Sequence, residues 1–194
     1  MIDFAPAVAA FVTILERLKL DYYIGGSLVS IMFGEVRVTR DVDFIVSISS
    51  ERVPDLVAAL QHGFYADDVA AERSVRTGDC FNAIHFNSGF QVDIFTPLPN
   101  EWTQTQMSRR LKRTLEFAPA PIDVYVASPE DTVINKLIWF QMGSGASSVQ
   151  WRDVLGVLKR RGDTLDWHYI RGWAREHRVE HLLDRARAEA GINV

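Results

Sequence analysis

Tyr23-Ile24-Gly25-Gly26-Ser27-Leu28-Val29-Ser30-Ile31-Met32-Phe33-Gly34-Glu35-Val36-Arg37-Val38-Thr39-Arg40-Asp41-Val42-Asp43-Phe44-Ile45-Val46 reads as strand, turn, helix, turn, strand. Tyr22 to Ile24 is a short apolar strand. Gly25 and Gly26 break it. Leu28 to Phe33 resumes as a short helix that stops at Gly34. Residues 35–41 are polar and turn-like, and Val42 to Ile48 is again a strand. Two glycines before a helix N-terminus let a ligand approach the backbone closely. The unpaired N–H groups there suit phosphate oxygens. A lone Gly-Gly-Ser equally well shapes a plain tight turn.

Asp41 and Asp43 bracket Val42. Residues i and i+2 of a strand face the same side, so the two carboxylates stand about 6–7 Å apart at the backbone. Such a pair repels itself unless a cation lies between, and oxygen-rich sites of this kind select Mg²⁺. The plainer alternative is two exposed acids at a strand entrance. Asp93 interrupts the mostly apolar run Phe90-Gln91-Val92-Asp93-Ile94-Phe95. Aspartate is depleted in strands, so this position is either functional or on a solvent-facing edge. Glu35, Asp67, Asp68 and Asp79 fall in loops or at helix ends and read as solvated charges.

Outward from this stretch, residues 4–20 have the spacing of an amphipathic helix, with Phe4, Val8, Phe11, Leu15 and Leu18 on one side. A helix is expected over 51–61. Phe81–Phe86 and Phe90–Phe95 form a hairpin through Asn87-Ser88-Gly89. Further on come a helix over 102–111 and short strands at 115–117 and 122–126. Ser128-Pro129-Glu130-Asp131 is a helix start, and from there the pattern is helical: 128–141, 149–161, 166–177 and 179–190. The expected fold is α/β (α+β), a mixed sheet flanked by helices over residues 1–127, then a C-terminal helical portion over 128–194.

Composition narrows the function classes. Residues 1–100 carry 7 basic and 13 acidic side chains, and residues 101–194 carry 14 and 12. An acidic first half suits cation binding, and neither half has the basic excess of a dedicated nucleic-acid binder. Cys80 is the only cysteine, so no internal disulfide forms. No apolar run approaches the roughly 20 residues of a membrane span. The N-terminus lacks a signal-peptide pattern, and a cytoplasmic protein is expected. The histidines lack metal-ligand spacing, the tryptophans read as core or packing surface, and Arg109-Arg110-x-Lys112-Arg113 and Lys159-Arg160-Arg161 read as solvated faces.

Gly25-Gly26-Ser27, Gly34 and Arg37-x-Thr39-x-Asp41-x-Asp43 together resemble the signature of the DNA polymerase β-like nucleotidyltransferase superfamily. The resemblance is closest to its small prokaryotic branch that includes the AbiEii-type toxins, and Asp93 fits that pattern's third acid. Ser128-Pro129-Glu130-Asp131-x₄-Lys136-Leu137 and Trp151-Arg152-Asp153-Val154 resemble the helical half of the same branch. The resemblance implies transfer of a nucleoside monophosphate from NTP·Mg²⁺ to an acceptor hydroxyl. Asp41, Asp43 and Asp93 would hold the metal. Gly25, Gly26 and Ser27 would hold the triphosphate, with Lys136 neutralising its charge and Asp153 completing the site. Arg37 and Arg40 would assist at the triphosphate or simply balance the acids. Implied partners are an NTP, a tRNA or protein acceptor and a cognate antitoxin, without a membrane. The alternative is a catalytically silent nucleotide-binding or interaction module of the same fold.

Overall fold

The structure is a computed structural model and describes residues 4–39, 41–116 and 120–192. Arg40 and the end of the strand expected at 115–117 lie outside the described residues. The chain divides into two compact units. One comprises Met1–Gly25 and Thr39–Val126, and the other Gly26–Val38 and Ala127–Val194. The segment 26–38 thus groups with the helices after residue 126, apart from its neighbours in the chain.

The first unit is built on a seven-stranded sheet. Its strands are β1 (Asp21–Ile24), β2 (Asp41–Ser47), β3 (Phe64–Ala66), β4 (Cys80–His85), β5 (Gln91–Phe95), β6 (Leu111–Leu115) and β7 (Ile122–Val126). Their order is β3-β4-β5-β2-β1-β7-β6. The sheet is mixed: β2 runs parallel to β5, and β1 to β7, while the remaining pairs are antiparallel. Alternation decides what each face does. Val42, Phe44 and Val46 on β2, Val92 and Ile94 on β5, and Phe81 and Ala83 on β4 are all buried. Helix α1 (Ala5–Leu18) covers them, with the Phe11 ring 4.7 Å from Phe44 and 5.9 Å from Phe64. Each such ring, fully buried, stabilises the fold by about 1.5–3 kcal/mol. Helices α3 (Val53–Leu60) and α4 (Asp68–Thr77) extend this layer. The opposite face of β2 and β5 presents Asp41, Asp43, Gln91 and Asp93.

The hairpin β4–β5 turns where expected, with Gly89 at φ 64°. Elsewhere the sequence reading needs amendment. Between 62 and 80 it held no regular element, whereas β3 and α4 are present. The helix expected to reach residue 111 is α5 (Glu101–Arg109), and the chain then enters β6. Lys112, Arg113 and Thr114 face solvent on this edge strand, and Lys112 pairs with Asp123 on β7 at 2.8 Å. Charges on an edge strand discourage pairing with other chains, which explains why this strand looks like a basic helix tail.

The second unit is helical: α2 (Gly26–Phe33), α6 (Pro129–Met142), α7 (Ser148–Arg161), α8 (Trp167–Glu176) and α9 (Glu180–Ala190). Ser128 caps α6, its hydroxyl accepting from the Asp131 N–H at 3.0 Å. Helix α2 packs on α6 and α7, burying Val29 and Phe33. Gly34 is more than a helix stop. A methyl there would lie 2.8 Å from the Ser30 carbonyl oxygen and 2.9 Å from the Val157 nitrogen. Backbone cannot retreat from such a clash, so glycine is what permits the close packing of α2 on α7. Among the described residues no helix is long and apolar enough to cross a membrane.

Candidate active site

In the first unit the acids are placed by strand register. Asp43 on β2 and Asp93 on β5 are direct partners across a parallel pair, and Asp41 is opposite Gln91. Adjacent strands lie about 4.8 Å apart, and partners in register point to the same face. The three expected carboxylates therefore share one face. Asp43 is buried, at 8% exposure, which a charged side chain tolerates only with partners. Among the described residues no three His, Cys, Asp or Glu side chains are drawn closely enough together to hold a metal. Like charges on one face repel, and the two outer acids turn to neutral donors. Thr39 Oγ1 donates to Asp41 Oδ1 at 3.0 Å, and Gln91 Nε2 donates to Asp93 Oδ1 at 2.7 Å.

Cys80 reports the field of these acids. Burial, then the charges of Asp93, Asp43 and Asp79, push its thiol up to about 12. It stays protonated and unreactive at neutral pH. Gly25 continues the β1–β2 ladder, its N–H donating to the Asp43 carbonyl at 2.9 Å. A methyl on Gly25 would stand 2.7 Å from Ile45 Cδ1, so the chain here is closely packed as well as turned.

In the second unit, Gly26 opens α2 with φ 56°, a left-handed conformation natural to glycine. Ser27 follows, and its Oγ accepts from Arg37 Nη2 at 2.7 Å. Arg37 also grips Asp153 with two parallel bonds, Nε to Oδ1 at 3.0 Å and Nη2 to Oδ2 at 2.9 Å. Lys136 Nζ meets the same Oδ2 at 3.0 Å. Four residues expected at a site from sequence thus form one connected cluster. Lys136 and Asp153 are 3% and 6% exposed, and two cations face one carboxylate, so the cluster carries a net positive charge. Burial works against ionised Asp153, but hydrogen bonding to Arg37 and the charge of Lys136 outweigh it and hold the carboxyl below its usual range. The Lys136 ammonium also stands 5.8 Å from the centre of the Trp139 ring. Sequence gave these residues separate duties. It did not show that Asp153 is what holds Arg37 and Lys136, because that rests on contacts far apart in the chain.

The fold is of nucleotidyltransferase type. The antibiotic-resistance factor ANT(2'')-Ia in complex with adenylyl-2''-tobramycin matches at a TM-score of 0.57, covering 91% of this chain and 97% of that one, with 12% identity. An antigenic nucleotidyltransferase-like protein from Paracoccidioides brasiliensis matches at 0.55, covering 96% and 93%, with 15% identity. A solution structure of ANT(2'')-Ia matches at 0.53, covering 94% and 95%, with 12% identity. The sequence matches no family profile and no curated protein.

Proposed function

We propose that this protein transfers a nucleoside monophosphate from NTP·Mg²⁺ to an acceptor hydroxyl, releasing pyrophosphate. The observation that carries the reading is the register pairing of Asp43 with Asp93, with Asp41 on the same face, in a fold shared with nucleotidyltransferases. In chemistry the donor set suits Mg²⁺, three carboxylates with hard oxygens on one sheet face, and binding would have to draw together side chains that stand apart among the described residues. Asp41, Asp43 and Asp93 would hold it. Two Mg²⁺ ions, when bound, supply neutralisation of the charge that develops on the attacking and leaving oxygens.

The remaining work falls to the chain. The acceptor oxygen bonds to the α-phosphorus as the bond from that phosphorus to the bridging oxygen breaks. Pyrophosphate leaves with the electron pair, and the acceptor proton passes to the Asp93 carboxylate. The first residues of α2 offer N–H groups to phosphate oxygens, and Arg37 and Lys136 offer positive charge. Asp153 keeps both cations in place. ANT(2'')-Ia, seen with an adenylylated antibiotic, favours a small-molecule hydroxyl as acceptor alongside the tRNA and protein hydroxyls that the toxin-like resemblance suggests.

Incubation with each α-³²P-labelled NTP, Mg²⁺ and fractionated cell extract tests the reaction. One NTP should label one fraction in a Mg²⁺-dependent way. Nucleotide binding without labelling of any fraction would mean a catalytically silent binding module instead.

Gly26→Val tests the phosphate turn separately. The side chain would intrude where phosphate oxygens approach, and its β-branch disfavours a φ of 56°. NTP affinity should fall at least tenfold, about 1.4 kcal/mol. Calorimetric titration measures it, with circular dichroism confirming the fold. A folded variant with unchanged affinity removes the phosphate role of the turn.

A further inference from the structure

Two of the three acids carry the same restraint. Thr39 donates to Asp41 Oδ1 and Gln91 to Asp93 Oδ1. Each donor stands two residues before its acid, and each is uncharged. In both acids Oδ2 has no hydrogen bond among the described residues. Gln91 is exposed and sits on the acid face, opposite Asp41 on β2 and Ile84 on β4. Its side chain fills no core position, so the bond to Asp93 is not needed to hold the sheet.

We infer that Gln91 is a positioning residue for Asp93: its neutral amide holds one carboxylate oxygen and leaves the other open to a cation, without cancelling the charge. Thr39 stands likewise beside Asp41, its one hydroxyl hydrogen shared between Oδ1 and the Asp41 carbonyl. The inference rests on the metal-binding role proposed for these acids. The neutrality of the donor is what matters. An arginine or lysine at 91 would bind Asp93 by a charge-assisted bond roughly twice as strong, and an incoming cation would have to displace it. An apolar residue would leave the carboxylate free to rotate, and the metal would have to order it. The amide avoids both: it restricts rotation through Oδ1 and leaves the second oxygen open to the cation. Partners that orient ligands in this way typically matter to metal affinity by about 10- to 100-fold.

The test compares wild type with Gln91→Leu, Gln91→Lys and Asp93→Asn. Binding of Mn²⁺ alone is followed by the loss of the free-ion paramagnetic resonance signal, and transfer is measured separately. Gln91→Leu should weaken Mn²⁺ binding about tenfold and lower kcat while leaving KM for the NTP within about twofold, because the residue has no phosphate role. Gln91→Lys should weaken Mn²⁺ at least as much as Asp93→Asn. If Asp93→Asn loses Mn²⁺ and activity while Gln91→Leu keeps both, the positioning role is wrong and the metal site stands. If wild type itself binds no Mn²⁺, the metal-site reading falls, and this inference falls with it.

Discussion

Asp43→Asn is expected to lower kcat/KM for nucleotidyl transfer at least a hundredfold, about 2.7 kcal/mol of barrier, while the protein stays folded. Asparagine keeps the shape of the side chain and removes its charge. Asp43 is the buried acid of the three and is in register with Asp93. Removing one of three like charges relieves repulsion, and the melting temperature should hold or rise. That opposition is the signature of a ligand: a residue needed for folding would lose stability and activity together. Steady-state kinetics at saturating Mg²⁺ and a thermal melt of the same sample are sufficient. Activity within about tenfold of wild type would show that Asp43 does not bind the metal, and would remove the centre of the proposed mechanism.

Asp153→Ala should cost about 3–5 kcal/mol of stability at neutral pH, the scale for removing one partner of a buried ion pair. It leaves the cationic groups of Lys136 and Arg37 without their carboxylate, and Lys136 is only 3% exposed. The effect has a definite pH dependence. The folded-state pKa of Asp153 is lowered, so between it and the unfolded value of about 3.9 the unfolded chain binds more protons. The stabilisation is therefore complete above the unfolded value and is lost as pH falls through the folded one. Urea denaturation of wild type and variant at pH 7, 5 and 3 should show the gap narrowing only at the acid end. A gap below about 1 kcal/mol at pH 7, the scale of an exposed pair, would mean that the cluster is not held by Asp153.

The acid face was legible because its signal is local. Asp41-Val42-Asp43 and an acid inside Phe90–Phe95 are visible in a few residues, and strand alternation alone gives each a side. Their register was not legible, since nothing in either segment says that residue 43 meets residue 93. Strand β3 escaped notice because three residues, Phe64–Ala66, are too short for a period. Helix α4 escaped because it buries only Ala71, Ser74 and Val75. A cue was present at both of its ends: Asp67 accepts from the Ala70 N–H as an N-cap, and Gly78 ends the helix at φ 76°. The Ser27–Arg37–Asp153–Lys136 cluster was half legible. Each of the four residues stood out in the sequence, but a bond joining residues 37 and 153 spans 116 positions, and nothing local to residue 153 says that its carboxylate meets two cations.

The insertion of Gly26–Val38 into the helical unit limits how this chain can be inherited. A gene fragment ending at codon 127 would encode Val29 and Phe33 without the helices that cover them. One beginning at codon 128 would encode Asp153 without Arg37, a buried carboxylate deprived of its two-pronged partner. A single crossover between homologous genes near that point would mate an arginine from one parent with an aspartate from the other. Only exchange at paired breakpoints, around 25/26 and 38/39 together with 126/127, would carry each unit whole. Substitutions on α2 and α7 should accordingly be inherited as a linked set, even though more than a hundred codons separate them.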